Sequence, residues 1–195
     1  MLLLLLTLAS APALVDATTA VPDLKVDLRY ATDQNFLKQA VYPAGARCWV
    51  LPETAERLTH AAASLRQKGY RMVAWDCYRP FTVQKKMWEL FPHKGFVADP
   101  NHGGSHHNRG AAVDVSLLDE EGNPVEMPTA FDTFSRASFV RYAGGTESSR
   151  AHRDLLVQAM EAAGFLRNPM EWWHFDIPEA IHHPVLDAPL APDAK

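Results

Sequence analysis

The segment Ser-His-His-Asn-Arg-Gly-Ala-Ala-Val-Asp at residues 105–114 guides the interpretation of the whole chain. Two adjacent histidines precede Gly110, which predicts a turn, and the apolar residues after it have the character of a short strand. Imidazole nitrogens and carboxylate oxygens are both ligands that a zinc ion accepts. A loop that carries His107, followed by a strand that carries Asp114, can therefore direct both side chains at one metal ion.

The other half of this predicted metal site is Glu-Trp-Trp-His-Phe at residues 171–175. The aromatic residues favour a strand, and on a regular strand Glu171 and His174 would point to opposite faces. Both can reach one metal site only if the backbone bends near residues 168–171, and Pro169 favours such a bend. We expect His174 to ligate the ion and Glu171 to lie close to it without binding, where the general base for a water nucleophile belongs.

Each of these residues also has a simpler interpretation. A histidine followed seven positions later by an aspartate is common by chance, and only its combination with the distant Glu171 and His174 favours a metal site. His106 competes with His107 as the ligand, but as an adjacent residue it is expected to face away. No serine or cysteine nucleophile with a suitable base stands out, which disfavours covalent catalysis.

The composition is that of one globular domain with a sizeable core. The chain has 195 residues, of which 47% are hydrophobic and 22% charged, and it contains no internal repeat or long linker. A net charge of -4 without a run of lysine or arginine argues against nucleic acid or an anionic membrane as the main partner. Cys48 and Cys77 permit one disulfide in an exported protein, and two free buried thiols are the alternative.

Residues 1–20 are predicted to be a signal peptide. Their leucine-rich core is too short to span a bilayer, and small residues at 11–13 and 15–17 offer two cleavage sites. No lysine or arginine precedes the leucines, so a mis-started reading frame is the alternative. Export predicts a periplasmic or secreted protein, with the cytoplasm as the alternative, and no membrane span in the mature chain. Residues 21–180 would form the domain and residues 181–195 a proline-rich surface tail.

Hydrophobic periodicity and turn residues predict an α+β fold, a single domain with a mostly antiparallel sheet flanked by helices and a zinc site at the sheet face. A hairpin is expected after the central strand, and residues 128–148 have an irregular pattern. The predicted strands cover residues 24–30, 70–75, 111–118, 125–127 and 171–177. The predicted helices cover residues 52–68, 81–90 and 149–163.

Three motifs together resemble the zinc D-alanyl-D-alanine dipeptidases. These enzymes are peptidoglycan-dipeptide hydrolases associated with vancomycin resistance and are related to zinc carboxypeptidases and endopeptidases of cell-wall peptides. The motifs are Ser-x-His-x-x-Gly-x-Ala-x-Asp at 105–114, Glu-x-Trp-His at 171–174 and Tyr-Arg-Pro at 78–80. They occur in the family's order and spacing, and the resemblance covers residues 24–178.

The resemblance implies a ligand set and two catalytic residues. His107, Asp114 and His174 would bind one zinc ion per chain, which leaves a coordination position open for water. Glu171 would be the general base, and Arg79 would stabilise the oxyanion of the tetrahedral intermediate. The alternative for Arg79 is an ordinary surface ion pair.

The resemblance also implies hydrolysis of a small substrate, the D-alanyl-D-alanine dipeptide. Ser105 would help to hold it, together with Asp132 and Tyr30, although Ser105 is also a common turn residue. A carboxypeptidase or endopeptidase acting on longer wall peptides is the alternative if residues 128–148 do not close the cavity on the amino side. A zinc-stabilised module that binds wall peptides without cutting them is the other alternative, but such a module has no need of a base at Glu171.

Overall fold

The computed structural model describes residues 13–93 and 95–191. Within them the strands are β1 (Val15–Asp16), β2 (Lys25–Val26), β3 (Trp49–Val50), β4 (Arg71–Asp76), β5 (Ala112–Leu118), β6 (Leu166–Arg167) and β7 (His174–Asp176). The α-helices are α1 (Ala17–Ala20), α2 (Pro52–Arg66), α3 (Phe81–Leu90) and α4 (Glu147–Ala162). Short 3-10 turns connect several of these elements.

A five-stranded sheet in the order β2-β4-β5-β7-β6 forms the centre of the fold. Its strand pairs are antiparallel except for β2 and β4, which run parallel. Strand β5 lies in the middle and all of its residues are buried. This arrangement confirms the predicted α+β domain with a mostly antiparallel sheet.

Two amphipathic helices cover the sheet. Helix α2 contacts α4 and β4, and α4 contacts β5 and β6. Most of the apolar residues that predicted these helices are buried, among them Leu58 and Leu65 on α2 and Leu156 on α4. Because side chains alternate along a strand, Asp114 points away from the face that its neighbours Val113 and Val115 occupy.

Several predicted boundaries agree with the structure and others do not. Helix α3 begins and ends where the sequence predicted, whereas α4 begins two residues before Ser149, because the Thr146 hydroxyl accepts the Ser149 amide and caps the helix at 3.0 Å. The predicted strand at 24–30 is limited to β2, because Arg29–Ala31 turns into a 3-10 helix.

The strands after residue 118 also differ from the prediction. The hairpin is reduced to one bridge between Leu118 and Pro124, and residues 125–127 do not form a strand. The last strand begins only at His174, after two turns within residues 169–173. Strand β6 was not predicted, because two residues are too few to show a periodicity.

Both ends of the described chain pack on the domain. Strand β1 pairs with β3, and Ala17 of α1 is fully buried, while residues 1–12 of the predicted signal peptide lie outside the described residues. Of the predicted tail, Leu190 is 2% exposed and its carbonyl accepts a hydrogen bond from the Trp49 indole at 2.8 Å. None of the helices in the described part of the chain is long and apolar enough to cross a membrane.

Cys48 and Cys77 form a disulfide, one of the two alternatives that the sequence left open. The bond joins the residue before β3 to the residue after β4. It therefore holds the start of the segment 77–80, which contains the Tyr-Arg-Pro motif, against the neighbouring strand.

Candidate active site

Three donor atoms meet where β5, β7 and the loop before β5 come together. Nε2 of His107 lies 3.1 Å from Nδ1 of His174, and Oδ1 of Asp114 lies 3.0 Å from that Nδ1 and 3.3 Å from Nε2 of His107. These are the three residues that the sequence predicted as ligands. In the described part of the chain they form a group that could hold a metal ion.

The sheet register explains how two of the donors meet. Asp114 on β5 stands directly opposite His174 on β7, so both side chains project from the same face of neighbouring strands. His107 lies on the 3-10 turn His106–Arg109, which ends at Gly110 with a φ of 70° before the chain enters β5. Glycine adopts this left-handed conformation without strain, so the loop can turn back toward its own strand.

Ser105 shapes the loop that carries His107. Its hydroxyl accepts the His107 amide at 3.2 Å, and its own amide donates to the Asn108 side chain at 2.7 Å, which together form a capping box. Ser105 also lines the cavity, so it is placed both to cap the turn and to contact a ligand.

Hydrogen bonds hold both imidazoles with a lone pair facing the cluster. Nδ1 of His107 donates to the Cys77 carbonyl at 2.7 Å, and Nε2 of His174 donates to the Asp176 carboxylate at 2.9 Å. Three acceptor atoms this close to one another repel unless a proton or a metal ion lies between them. Two imidazoles, each with an outer partner, and one carboxylate form a donor set that suits zinc.

Glu171 lies in the same cavity but outside the three-donor group. The turns before His174 bring it there, as the predicted bend required, and the Asn168 amide donates to its Oε2 at 2.8 Å. Burial raises the pKa of Glu171 to about 7; His174 opposes this shift and the negative charge of Asp114 adds to it. A carboxyl group with a pKa near neutrality can exchange a proton at the working pH of most enzymes.

Arg79 is buried at the wall of the cavity and is not the surface ion pair of the alternative interpretation. Its Nη2 and Nε donate to Oδ2 of Asp76 at 2.6 and 3.2 Å, and its Nη1 donates to Gln84 at 2.7 Å. A guanidinium group has five N–H donors. Two of them are therefore left for a ligand in the cavity.

Two aspartates that contact the predicted site residues, Asp76 and Asp176, were not predicted from the sequence. Asp76 is fully buried and accepts hydrogen bonds from the Tyr42 hydroxyl at 2.6 Å, the Cys77 amide at 2.9 Å and Arg79. The available signals were the spacing of three residues between Asp76 and Arg79 and the His-x-Asp pattern on the last strand. Neither spacing is informative until the strand ends are known.

Asp132 and Tyr30 face the cavity together. The Tyr30 hydroxyl donates to Oδ1 of Asp132 at 3.2 Å, and the Phe36 amide donates to Oδ2 at 3.1 Å. Burial and the charge of Asp114 raise the pKa of Asp132 well above its usual value. Among the described residues no lysine, arginine or histidine forms an ion pair with it.

The cavity that joins these residues has a volume of about 500 Å³. The metal-ligand candidates, Glu171, Arg79 and Asp132 are among its polar lining residues, and several aromatic side chains also line it. His106, which was expected to face away, also lines the cavity, but its Nδ1 contacts Asp176 at 3.0 Å and not the donor cluster. The lining residues of the Phe, Tyr and Trp types are Tyr30, Phe36, Trp88, Phe96, Phe134 and Trp173.

Comparisons with known proteins agree with the motifs. A family model described as D-ala-D-ala dipeptidase matches residues 10–190. The chain is 34% identical to the D-alanyl-D-alanine dipeptidase of Escherichia coli K12 over 173 residues, which cover 89% of each chain. It is 41% identical to the Synechocystis protein of that name over 161 residues, 62% of this chain and 65% of the relative. The similarly named protein of Enterococcus faecium is 29% identical over 179 residues, 80% of this chain and 86% of the relative.

Proposed function

The chain belongs to the D-Ala-D-Ala dipeptidase family of peptidases, and from this premise we propose that it hydrolyses D-alanyl-D-alanine with one zinc ion per chain. The observation that supports this most strongly is the convergence of three metal-ligand donors with a buried glutamate and a buried arginine in one cavity. A binding module that does not cut its ligand has no use for this combination.

His107, Asp114 and His174 would hold the ion through Nε2, Oδ1 and Nδ1, the atoms that face one another. When bound, zinc supplies a Lewis acid that lowers the pKa of water and polarises a carbonyl group. The outer hydrogen bonds to Cys77 and Asp176 keep both imidazoles in the tautomer that this role needs.

Glu171 is the proposed general base. Its carboxylate takes a proton from the attacking water and returns it to the amine that leaves. The Asn168 amide fixes Oε2, which leaves Oε1 to face the reacting atoms. Removing such a base typically lowers the rate by about 100-fold or more.

Arg79 is the proposed donor to the oxyanion. Asp76 and Gln84 hold the guanidinium group from behind, so it does not have to be ordered when negative charge develops on the substrate. The group is permanently charged, and its two remaining N–H donors suit an oxygen that gains charge in the transition state.

Asp132, assisted by Tyr30, is proposed to receive the ammonium group of the dipeptide. Burial raises the pKa of the Asp132 carboxyl group, and a ligand that brings a positive charge beside it favours the ionised form and pairs with it. A free amino group next to the scissile bond is present in a dipeptide but not at that position of a longer wall peptide. We therefore favour a dipeptidase over a carboxypeptidase or endopeptidase.

We also propose that the protein is exported. The disulfide between Cys48 and Cys77 supports an oxidising compartment. Asp16 is buried, caps α1 and pairs with Arg47 at 2.5 Å, so cleavage after Ala13 would keep these contacts and cleavage after Ala17 would remove them. Mass spectrometry of the exported protein should find Leu14 at its N-terminus, whereas an uncleaved chain confined to the cytoplasm would contradict export.

The function is tested by assaying the purified wild-type protein on D-Ala-D-Ala, L-Ala-L-Ala and a wall pentapeptide. We expect turnover of D-Ala-D-Ala alone, lost by 100-fold or more in Glu171→Gln with unchanged zinc content. Glu121→Gln is the matched control, because Glu121 is exposed in a turn. Undiminished turnover in Glu171→Gln would remove the proposed base, and cleavage of the pentapeptide would replace the dipeptidase with a carboxypeptidase or endopeptidase.

A further inference from the structure

The His174 imidazole presents the nitrogen nearer to its own backbone, Nδ1, to the donor cluster. This follows from the sheet register, because Asp114 lies directly across on β5 and its short side chain ends close to the sheet. The far nitrogen, Nε2, is left pointing along the strand. A ring flip would exchange nitrogen and carbon positions and remove the donor from the cluster, so something must hold the ring.

Asp176 is placed to hold it. It lies two residues after His174 on β7, and side chains two apart on a strand share a face. Its Oδ1 accepts the Nε2 proton of His174 at 2.9 Å. Its partner across the sheet on β5 is Ala112, which carries only a methyl side chain.

A second histidine contacts the same oxygen. Nδ1 of His106 lies 3.0 Å from Oδ1 of Asp176 and can donate to it. His106 precedes His107 on the 3-10 turn, so Asp176 connects the loop that carries one proposed ligand to the strand that carries another. These two ligands are separated by 67 residues in the chain.

We propose that Asp176 is a positioning residue that fixes His174 with Nδ1 toward the metal and ties the two halves of the metal site together through His106. This inference rests on the proposed zinc function. Outer partners of metal-bound histidines typically contribute 10- to 100-fold to metal affinity. Asp176 does not touch the substrate, so its effect appears first in metal binding.

The test is the zinc dissociation constant of folded apoprotein, measured by competition with a chromophoric chelator. We expect Asp176→Ala to raise it by about 10- to 100-fold and Asp176→Asn to raise it less, because the amide oxygen can still accept one N–H. His106→Ala should have a smaller effect than Asp176→Ala, since it leaves the bond to His174 intact. Asp33→Asn is the matched control, because Asp33 is an exposed aspartate.

A second readout separates positioning from a general effect on stability. In ¹⁵N-histidine NMR spectra of the zinc-bound protein, the Nε2–H signal of His174 should be protected from exchange in the wild type and lost or exchange-broadened in Asp176→Ala. A variant that only lowers the melting temperature, with unchanged zinc affinity and an unchanged signal, would overturn the inference. In that case a wild type that binds zinc and cleaves D-Ala-D-Ala would leave the proposed function standing, whereas a wild type that does neither would overturn both.

Discussion

The two ends of the cavity are built in different ways. The metal end rests on regular structure, because Asp114 and His174 stand opposite each other on neighbouring strands and His107 is held by a capped turn. The other end rests on irregular backbone, where Asp132 has a φ of 57° and meets Tyr30 from a 3-10 turn. Aspartate tolerates this left-handed conformation better than most residues, though still at some strain.

Because of this difference, the residues proposed to react lie on regular structure, and the residues proposed to select the substrate lie on irregular backbone. Reacting groups must be held to within a fraction of an ångström, and a sheet register provides that. Loops can change in length and shape while the sheet stays the same, so they can adapt one metal site to different ligands. On this view, changes at the metal end abolish catalysis, and changes near Asp132 alter which substrates are accepted.

The largest effect is expected from removing a metal ligand. His107→Ala takes away one of three donors, so zinc binding and turnover of every substrate should fall below detection. Metal analysis of the purified variant and an assay with added zinc test this. Full activity without bound metal would contradict the assignment of His107, Asp114 and His174 as metal ligands.

The next largest effect is expected at Arg79. In Arg79→Gln the fixed positive charge is lost, so kcat should fall by about 100- to 1000-fold with bound zinc unchanged. Arg79→Lys should recover little of it, because an ammonium group cannot contact both Asp76 and the substrate as the guanidinium fork does. Steady-state kinetics on D-Ala-D-Ala measure both variants, and an effect confined to KM would contradict an oxyanion role.

A smaller and selective effect is expected at Asp132. A hydrogen bond to a charged group contributes about 1.5–3 kcal/mol, so Asp132→Asn should lower kcat/KM for D-Ala-D-Ala by about 10- to 150-fold. The zinc content should not change. On an N-acetylated dipeptide, which carries no ammonium group, Asp132→Asn and the wild type should have similar kcat/KM values. Equal losses on both substrates would erase the proposed distinction between the two ends.

The smallest expected effect is on the pH dependence of kcat/KM, which should fall tenfold for each pH unit on the acid side of the profile. Glu171 must be ionised to accept a proton, so kcat/KM should fall as the pH drops through its pKa. Burial raises this pKa to about 7, and a bound cation lowers it, so the acid limb should lie below pH 7 in the zinc enzyme. A pH–rate profile measures this limb. The limb should be absent from the residual activity of Glu171→Gln, and its persistence there would assign it to another group.

The two ends also differ in how far the sequence could predict them. His107, Asp114, Glu171 and His174 lie in short contiguous motifs, so their chemistry and their grouping could be proposed before the fold was known. The bend before His174 followed from a parity argument, since Glu171 and His174 cannot share a face of a regular strand.

Asp132 lies in an irregular segment without periodicity, and only the family resemblance singled it out. Asp76 and Asp176 were not predicted because their roles depend on contacts with residues that are distant in the sequence. Asp76 meets Tyr42 and Arg79, and Asp176 meets two histidines, through spacings that carry no signal by themselves. The short strand β6 escaped the prediction for a similar reason, because pairing with its neighbour and not local pattern defines it.

The most direct test of zinc-dependent catalysis at this site is a zinc titration of the apoprotein with D-Ala-D-Ala hydrolysis as the readout. Activity should be absent at the start, rise in proportion to added zinc and level off at one zinc ion per chain. Asp114→Asn, which removes the only charged ligand of the three, should show no such rise over the same range. Turnover in the metal-free protein would contradict zinc-dependent catalysis. The same plateau in variants of His107, Asp114 or His174 would contradict their assignment as the metal ligands.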